Sequence, residues 1–260
     1  MVFGLDLLEN VTCLAQLVDS IEIVLFHTPT CNNTPSEHDL HSLDTLGKKN
    51  NITFTVHLPA SLEIASNNRS TREASIQLAI ALCEKTSVIN PVYYILHVPF
   101  SKPTLVPVPG LYFKDGDQQQ WKDWTQRSLD ALHRIIYATG LAGKLLIENI
   151  NYSPCFLEPF WEKGLGEPCL DLGHMLLGNE DTLELLQTYL HTSKEIHIHG
   201  VVGYEEHLSL SVLPENLVKN WLKCIDKSCF NGIVNLEVFS PGDLQESMAV
   251  VFEYFASQST

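Results

Sequence analysis

Six apolar runs of this chain close on residues that bind cations or move protons. T-V-H ends at His57, I-L-H at His97 and L-L-I-E at Glu148, while C-L-D-L-G-H carries Asp171 and His174. I-H-I-H-G carries His197 and His199, and N-L-E carries Glu237. A further group, Glu205-Glu206-His207, follows shortly after the histidine pair. Imidazole and carboxylate together form the donor set of zinc, manganese and similar divalent ions. Carboxylates gathered without a cation repel one another and their pKa values climb, and a bound cation removes that repulsion. Taken singly, each residue has an ordinary explanation, a hydrogen-bonded rim histidine or an acid capping a helix. Six successive runs ending alike are hard to obtain from structural need, and few Lys or Arg lie nearby to pair with them.

Such groups meet only if the fold brings the ends of their runs together. Short β-branched or apolar runs alternate with longer amphipathic stretches. Strands are expected at Val2–Asp6, Ile21–Phe26, Thr53–His57, Val92–His97, Lys144–Glu148, Pro168–Asp171, Glu195–His199 and Ile233–Glu237. Helical periodicity marks Arg72–Lys85, Gln120–Tyr137, Thr182–Leu190, Glu215–Cys224 and Asp243–Phe255. Gly140 and Gly143 stop the second of these, and Pro214 stands near the start of the fourth. Segment 27–50 reads as polar and loop-like. Alternating strand and helix implies parallel strands, and eight such units close into a (β/α)8 TIM barrel. The expectation is therefore an α/β chain of one domain over residues 1–260. An open doubly wound sheet is the alternative, but no G-x-G-x-x-G turn supports it. In a parallel barrel the C-terminal strand ends face one mouth, where all of these ionisable groups would converge.

Composition narrows the partners. The net charge of −15, from 16 basic and 31 acidic residues without a basic cluster, disfavours a grip on nucleic acid and favours a small-molecule substrate. Seven scattered cysteines without a C-x-x-C pair suit reduced thiols. The opening MVFGLDLLENVTCL lacks a basic stretch, and no apolar run approaches the roughly 20 residues of a membrane span. A soluble cytoplasmic protein is expected, with the oligomeric state left open.

The ordered set of strand-end residues resembles the xylose isomerase-like (β/α)8 superfamily over essentially the whole chain. Two branches differ in their ligands. Sugar isomerases and epimerases hold one metal with Glu, Asp, His and Glu, matched here by Glu148, Asp171, His197 and Glu237. In epimerases the two glutamates also exchange a proton at the sugar carbon. The endonuclease IV branch (AP endonuclease family 2) binds three metals. Its extra positions match His57, His97, the D-x-x-H of Asp171 and His174, and a later acid-x-His at Glu205 and His207. By that resemblance His57, His97 and Glu148 hold a first metal. Glu148 bridges to a second, completed by Asp171, His197 and Glu237, and His174, Glu205 and His207 hold a third.

Every extra position of the hydrolase branch is filled, which favours metal-dependent phosphodiester hydrolysis. The implied cofactors are divalent ions, zinc or manganese, one to three per chain, with Glu148 and Glu237 as the catalytic carboxylates. The sequence departs from that pattern in three places. E-x-H replaces D-x-H, Gly200 stands where an acid is common, and Leu208-Ser-Leu-Ser211 replaces a Gly-Glu-Gly turn. His199 competes with His197 for the strand-end ligand, because residues two apart on a strand share a side. V-H-L-P, D-L-G-H and H-I-H-G-V followed by H-L-S-L are similar to cobamide-remodelling phosphodiesterases, which cut the nucleotide loop of a corrinoid. Tyr112, Phe113, Tyr152, Phe156, Phe160, Trp161 and Tyr204 would either line an apolar substrate wall or pack helices onto the barrel. A mononuclear sugar isomerase or epimerase is the second reading, and a metal- or ligand-binding barrel without catalysis the third.

Overall fold

The computed structural model describes residues 6–100, 118–150 and 152–258. Six strands come first: β1 (Ser20–Val24), β2 (Thr53–His57), β3 (Tyr93–His97), β4 (Leu145–Glu148), β5 (Glu167–Asp171) and β6 (Glu195–Ile198). A hairpin of β7 (Gly200–Val202) and β8 (Glu205–Leu208) follows, then β9 (Ile233–Leu236). The first six and β9 form one sheet in chain order, every neighbouring pair parallel. The result is a nearly closed (β/α) barrel, as the alternation of strand and helix requires.

The expected strand at Val2–Asp6 lies outside the described residues except for Asp6. That residue caps the helix Leu7–Leu14, its carboxylate accepting from the Glu9 N–H. Among the described residues β1 and β9 are therefore the sheet's edges. Asn235 Nδ2 spans them, donating to Glu22 Oε1 at 3.0 Å, beside a cavity of about 450 Å³.

Side chains alternate across each strand, and the two faces have opposite character. The outward set (Ile23, Val56, Leu96, Ile147) packs under Leu43, Ile76, Leu132 and Ile135 of the surrounding helices. A second cluster joins Leu170, Ile196 and Ile198 to Leu186, Val218 and Trp221. The inward set holds Glu22, Thr55, His57, Glu148, Asp171, Glu195 and His197, all buried. A small apolar plug of Ile95, Leu146 and Cys169 interrupts it. The hydrophobic core thus sits between barrel and helices, which leaves the barrel interior free for polar groups.

The five expected helices are present as Arg69–Thr86, Gln118–Thr139, Thr182–Tyr189, Glu215–Lys227 and Pro241–Gln258. Segment 27–50 departs from its loop-like reading, because Glu37–Asn50 is helical. Ser36 caps this helix by accepting from the Asp39 N–H, and Asp39 accepts from the Ser36 N–H in return. Leu40 and Leu43 bury its inner face. Among the described residues no helix is long and apolar enough to cross a membrane.

Candidate metal centre

Glu148 ends β4 at the centre of the mouth and is fully buried. Its Oε2 lies 2.9 Å from His57 Nε2 and 3.1 Å from His97 Nε2. His57 ends β2, and its Nδ1–H donates to the Leu58 carbonyl at 2.7 Å. A carbonyl only accepts, so this bond fixes the ring and turns Nε2 toward Glu148. In the β3–β4 register His97 stands directly opposite Glu148. One donor atom from each of the three residues falls within 4.8 Å of the others.

The other side of Glu148 faces Asp171, His197 and Glu237, and donor atoms of these four residues likewise lie within 4.8 Å of one another. His197 Nδ1 is 3.1 Å from Glu237 Oε2, 3.7 Å from Glu148 Oε1 and 3.9 Å from Asp171 Oδ2. Asp171 is held on both flanks. Its backbone exchanges two bonds with the Asn149 side chain, each 2.9 Å, and its Oδ1 caps the helix Leu172–Leu177 by accepting from the His174 N–H at 2.6 Å. Its other oxygen, Oδ2, and Glu148 Oε1 are buried without a hydrogen-bond partner. Two orphaned carboxylate oxygens in one buried site are costly unless a cation meets them. The donor set therefore fits a divalent ion.

The third expected group differs in composition. His174, His199 and His207 bring donor atoms together. His174 Nδ1–H donates to the Asn149 carbonyl at 3.0 Å, which leaves Nε2 facing Glu206 Oε2 at 3.7 Å. Glu205, expected here, is exposed and is brought to none of these groups. The two-residue alternation that would carry it beside His207 breaks because His207 adopts a left-handed backbone, φ 58°. Glu206 stands nearer instead, 3.9 Å from His207 Nδ1. His197 and His199 share a side but sit at different depths, so His197 joins Glu148, Asp171 and Glu237 while His199 joins His174 and His207.

Charge in this cluster is shared between carboxylates and imidazoles. Burial works against ionised Glu148, yet His97 and His197, with His174 close by, hold its carboxyl well below the usual carboxylate range. Glu237 is likewise held well below that range, burial being outweighed chiefly by His197. Burial opposes a charged His57, but its bond to Glu148 pulls the imidazole up to about 9. His174 and His197 are raised well above the ordinary value against burial, His174 first by Asp171 and His197 first by Cys169, then by Glu22, Glu148 and Glu237. Burial instead pushes His207 down.

Sequence reading missed the layer beneath. Counting back by two from Val24, Asp171 and His197 gives Glu22, Cys169 and Glu195, which point inward and surround His197. That periodicity was the available signal. Burial pushes the Glu195 carboxyl up to about 7. The aromatic residues divide. Phe160 is buried against Trp124, Phe156 meets Trp121, Trp161 meets Tyr189, and Tyr152 donates to the Val98 carbonyl at 2.8 Å. Those four are packing residues. Tyr204 is exposed on the hairpin, and Tyr112 and Phe113 lie outside the described residues.

A family model described as xylose isomerase-like TIM barrel (AP endonuclease 2) matches residues 14–254. Among solved structures, a D-tagatose 3-epimerase-like protein superposes with a TM-score of 0.73 at 18% identity, covering 92% of this chain and 88% of that one. D-psicose 3-epimerase from Clostridium cellulolyticum gives 0.69 at 14%, covering 98% and 94%. Endonuclease IV from Thermus thermophilus gives 0.66 at 14%, covering 96% and 93%. At these identities the likeness is one of fold. No curated protein sequence matches the chain.

Proposed function

Because this chain belongs to the xylose isomerase-like TIM barrel family, we propose that it is a divalent-metal-dependent phosphodiesterase acting on a small molecule. The observation that carries this reading is the convergence of His57 and His97 on Glu148, opposite the group of Asp171, His197 and Glu237. One cation needs only Glu148, Asp171, His197 and Glu237. The further histidines supply a second set on the other side of Glu148, and His174 with His207 supply part of a third. Zinc or manganese suits this mixture of imidazole and carboxylate. In the third set Glu206 and His199 take the place expected of Glu205.

Bound cations would lower the pKa of water and offset charge on the phosphoryl and leaving oxygens. The chain's own groups do the rest. Glu148 and Glu237, held ionised, are the carboxylates to which this reading assigns the catalytic roles. The Nε2 atoms of His57 and His174 are oriented by the backbone carbonyls on their Nδ1 sides. A mouth built on Glu148, Asp171 and Glu237 would repel a phosphodiester until cations neutralise it, which links substrate entry to metal loading. The net charge of −15 favours a small substrate over nucleic acid. A cobamide nucleotide loop is the candidate suggested by V-H-L-P, D-L-G-H and H-I-H-G-V. In this reading residues 1–260 act as one cytoplasmic catalytic unit.

Mononuclear sugar epimerisation is the second reading. It is supported by the self-sufficient group Glu148, Asp171, His197 and Glu237, with the two glutamates exchanging a proton at a sugar carbon. Metal content per chain with activity of His57→Ala and His97→Ala separates the two. Two or three ions and loss of phosphodiesterase turnover in both variants are expected. One ion per chain, with epimerase activity that survives both substitutions, overturns the hydrolase reading.

A further inference from the structure

In barrels of this architecture the interior below the mouth is filled by layers of apolar side chains. Here that layer is polar where it meets His197. Glu22 from β1, Thr55 from β2, Glu195 from β6 and Asn235 from β9 lie together beneath the candidate centre. His197 spans the two levels. Its Nδ1 faces Glu237, Glu148 and Asp171, while its Nε2 points down between Glu22 Oε2 at 3.4 Å and Glu195 Oε1 at 3.7 Å.

Both carboxylates are braced. Asn235 Nδ2 donates to Glu22 Oε1 at 3.0 Å across the sheet edges, and Thr55 Oγ1 donates to Glu195 Oε1 at 3.5 Å. His197 Nε2, Glu22 Oε2 and Glu195 Oε2 are all buried without a hydrogen-bond partner, so the two carboxylates are the acceptors that stand near an Nε2 proton. An ionised carboxylate only accepts, so what it can take from an imidazole is an N–H. A neutral imidazole with its proton at Nε2 has its lone pair at Nδ1, the atom that faces Glu148, Asp171 and Glu237.

We propose that Glu22, braced by Asn235, together with Glu195, holds the His197 proton at Nε2 and so presents Nδ1 to the cation. They are positioning residues acting through His197. A carboxylate behind a ligating histidine fixes its tautomer and raises its basicity, and losing such a partner typically weakens metal binding by about 10- to 100-fold. The proposal rests on the reading that Glu148, Asp171, His197 and Glu237 hold a divalent ion.

The test uses the full chain, with zinc alone as the probe. Equilibrium dialysis of Glu22→Leu, and of the shape-preserving Glu22→Gln should the former not fold, is expected to show about 10- to 100-fold weaker zinc binding. Long-range 1H–15N correlation of zinc-loaded wild type should place the His197 proton at Nε2. A proton found at Nδ1, or variants that bind zinc as wild type does, overturns the proposal while leaving the metal-centre reading intact. Wild-type chain that binds no zinc overturns that reading first, and this one with it.

Discussion

Gly173 shows how tightly the D-L-G-H motif is built. A Cβ there would lie 2.0 Å from Cε1 of the His199 ring, so the absence of a side chain is what admits the ring. Gly200 is constrained in the same way, since a Cβ would fall 2.1 Å from the Ser209 carbonyl oxygen. The acid often found there in the endonuclease IV branch has no room in this chain. Gly173→Ala would gain about 0.5–1 kcal/mol of helix propensity. The clash with a buried ring costs more, about 1–3 kcal/mol for overpacking, so the variant should be less stable in urea. Adding His199→Ala should recover stability relative to Gly173→Ala alone. An unchanged midpoint for the single variant would refute the steric account. The glycine was visible in the sequence, whereas its partner, well along the chain, was not.

At the scale of elements, the helix Glu37–Asn50 illustrates a signal present and passed over. Its polar surface masks the Leu40 and Leu43 stripe, yet Ser36 and Asp39 form the reciprocal cap that marks a helix start. Ser36→Ala should cost about 1 kcal/mol, measured as a lower denaturation midpoint with folding cooperativity retained. An Asp39→Ala variant tests the other half of the same cap. The β7–β8 hairpin carries the opposite lesson. Strand alternation predicts that Glu205 and His207 share a face, but the left-handed backbone at His207 rotates that relation and brings Glu206 toward His174. A single positive φ at a non-glycine residue is a tertiary decision, stabilised here by the His207 N–H donating to His199 Nδ1 at 3.0 Å.

For the molecule as a whole, a polar cluster inside a barrel makes stability depend on pH and on metal. In chelator-treated protein, Glu148 and Glu237 sit well below the usual carboxylate range, so their contribution is present above about pH 4.5 and lost as pH falls through their lowered values. His57 is raised from 6.5 to about 9, so its contribution is complete below pH 6.5 and lost as pH rises through about 9. That single group is worth on the order of 3 kcal/mol. His174 and His197 shift in the same direction. Metal-free protein should therefore melt highest between about pH 4.5 and 6.5 and lose stability toward pH 9. Added zinc should reverse the alkaline trend, because ligating histidines must first give up their protons. Melting curves with chelator and with zinc across that range check it, and a flat metal-free profile would count against the buried His–Glu network.

The sequence by itself determined the alternation of elements, the barrel and the strand-end residues. Apolar periodicity and turn residues are local, and His57, His97, Glu148, Asp171, His197 and Glu237 each stand where a short run ends. Tertiary structure alone decided which donor atoms meet. It set His197 and His199 into different groups by depth, brought Glu206 rather than Glu205 toward His174, and placed Glu22 and Glu195 beneath His197. The physical reason is that local pattern fixes which face a side chain points from, while the strand register and backbone angles of distant segments fix the few ångströms on which coordination depends.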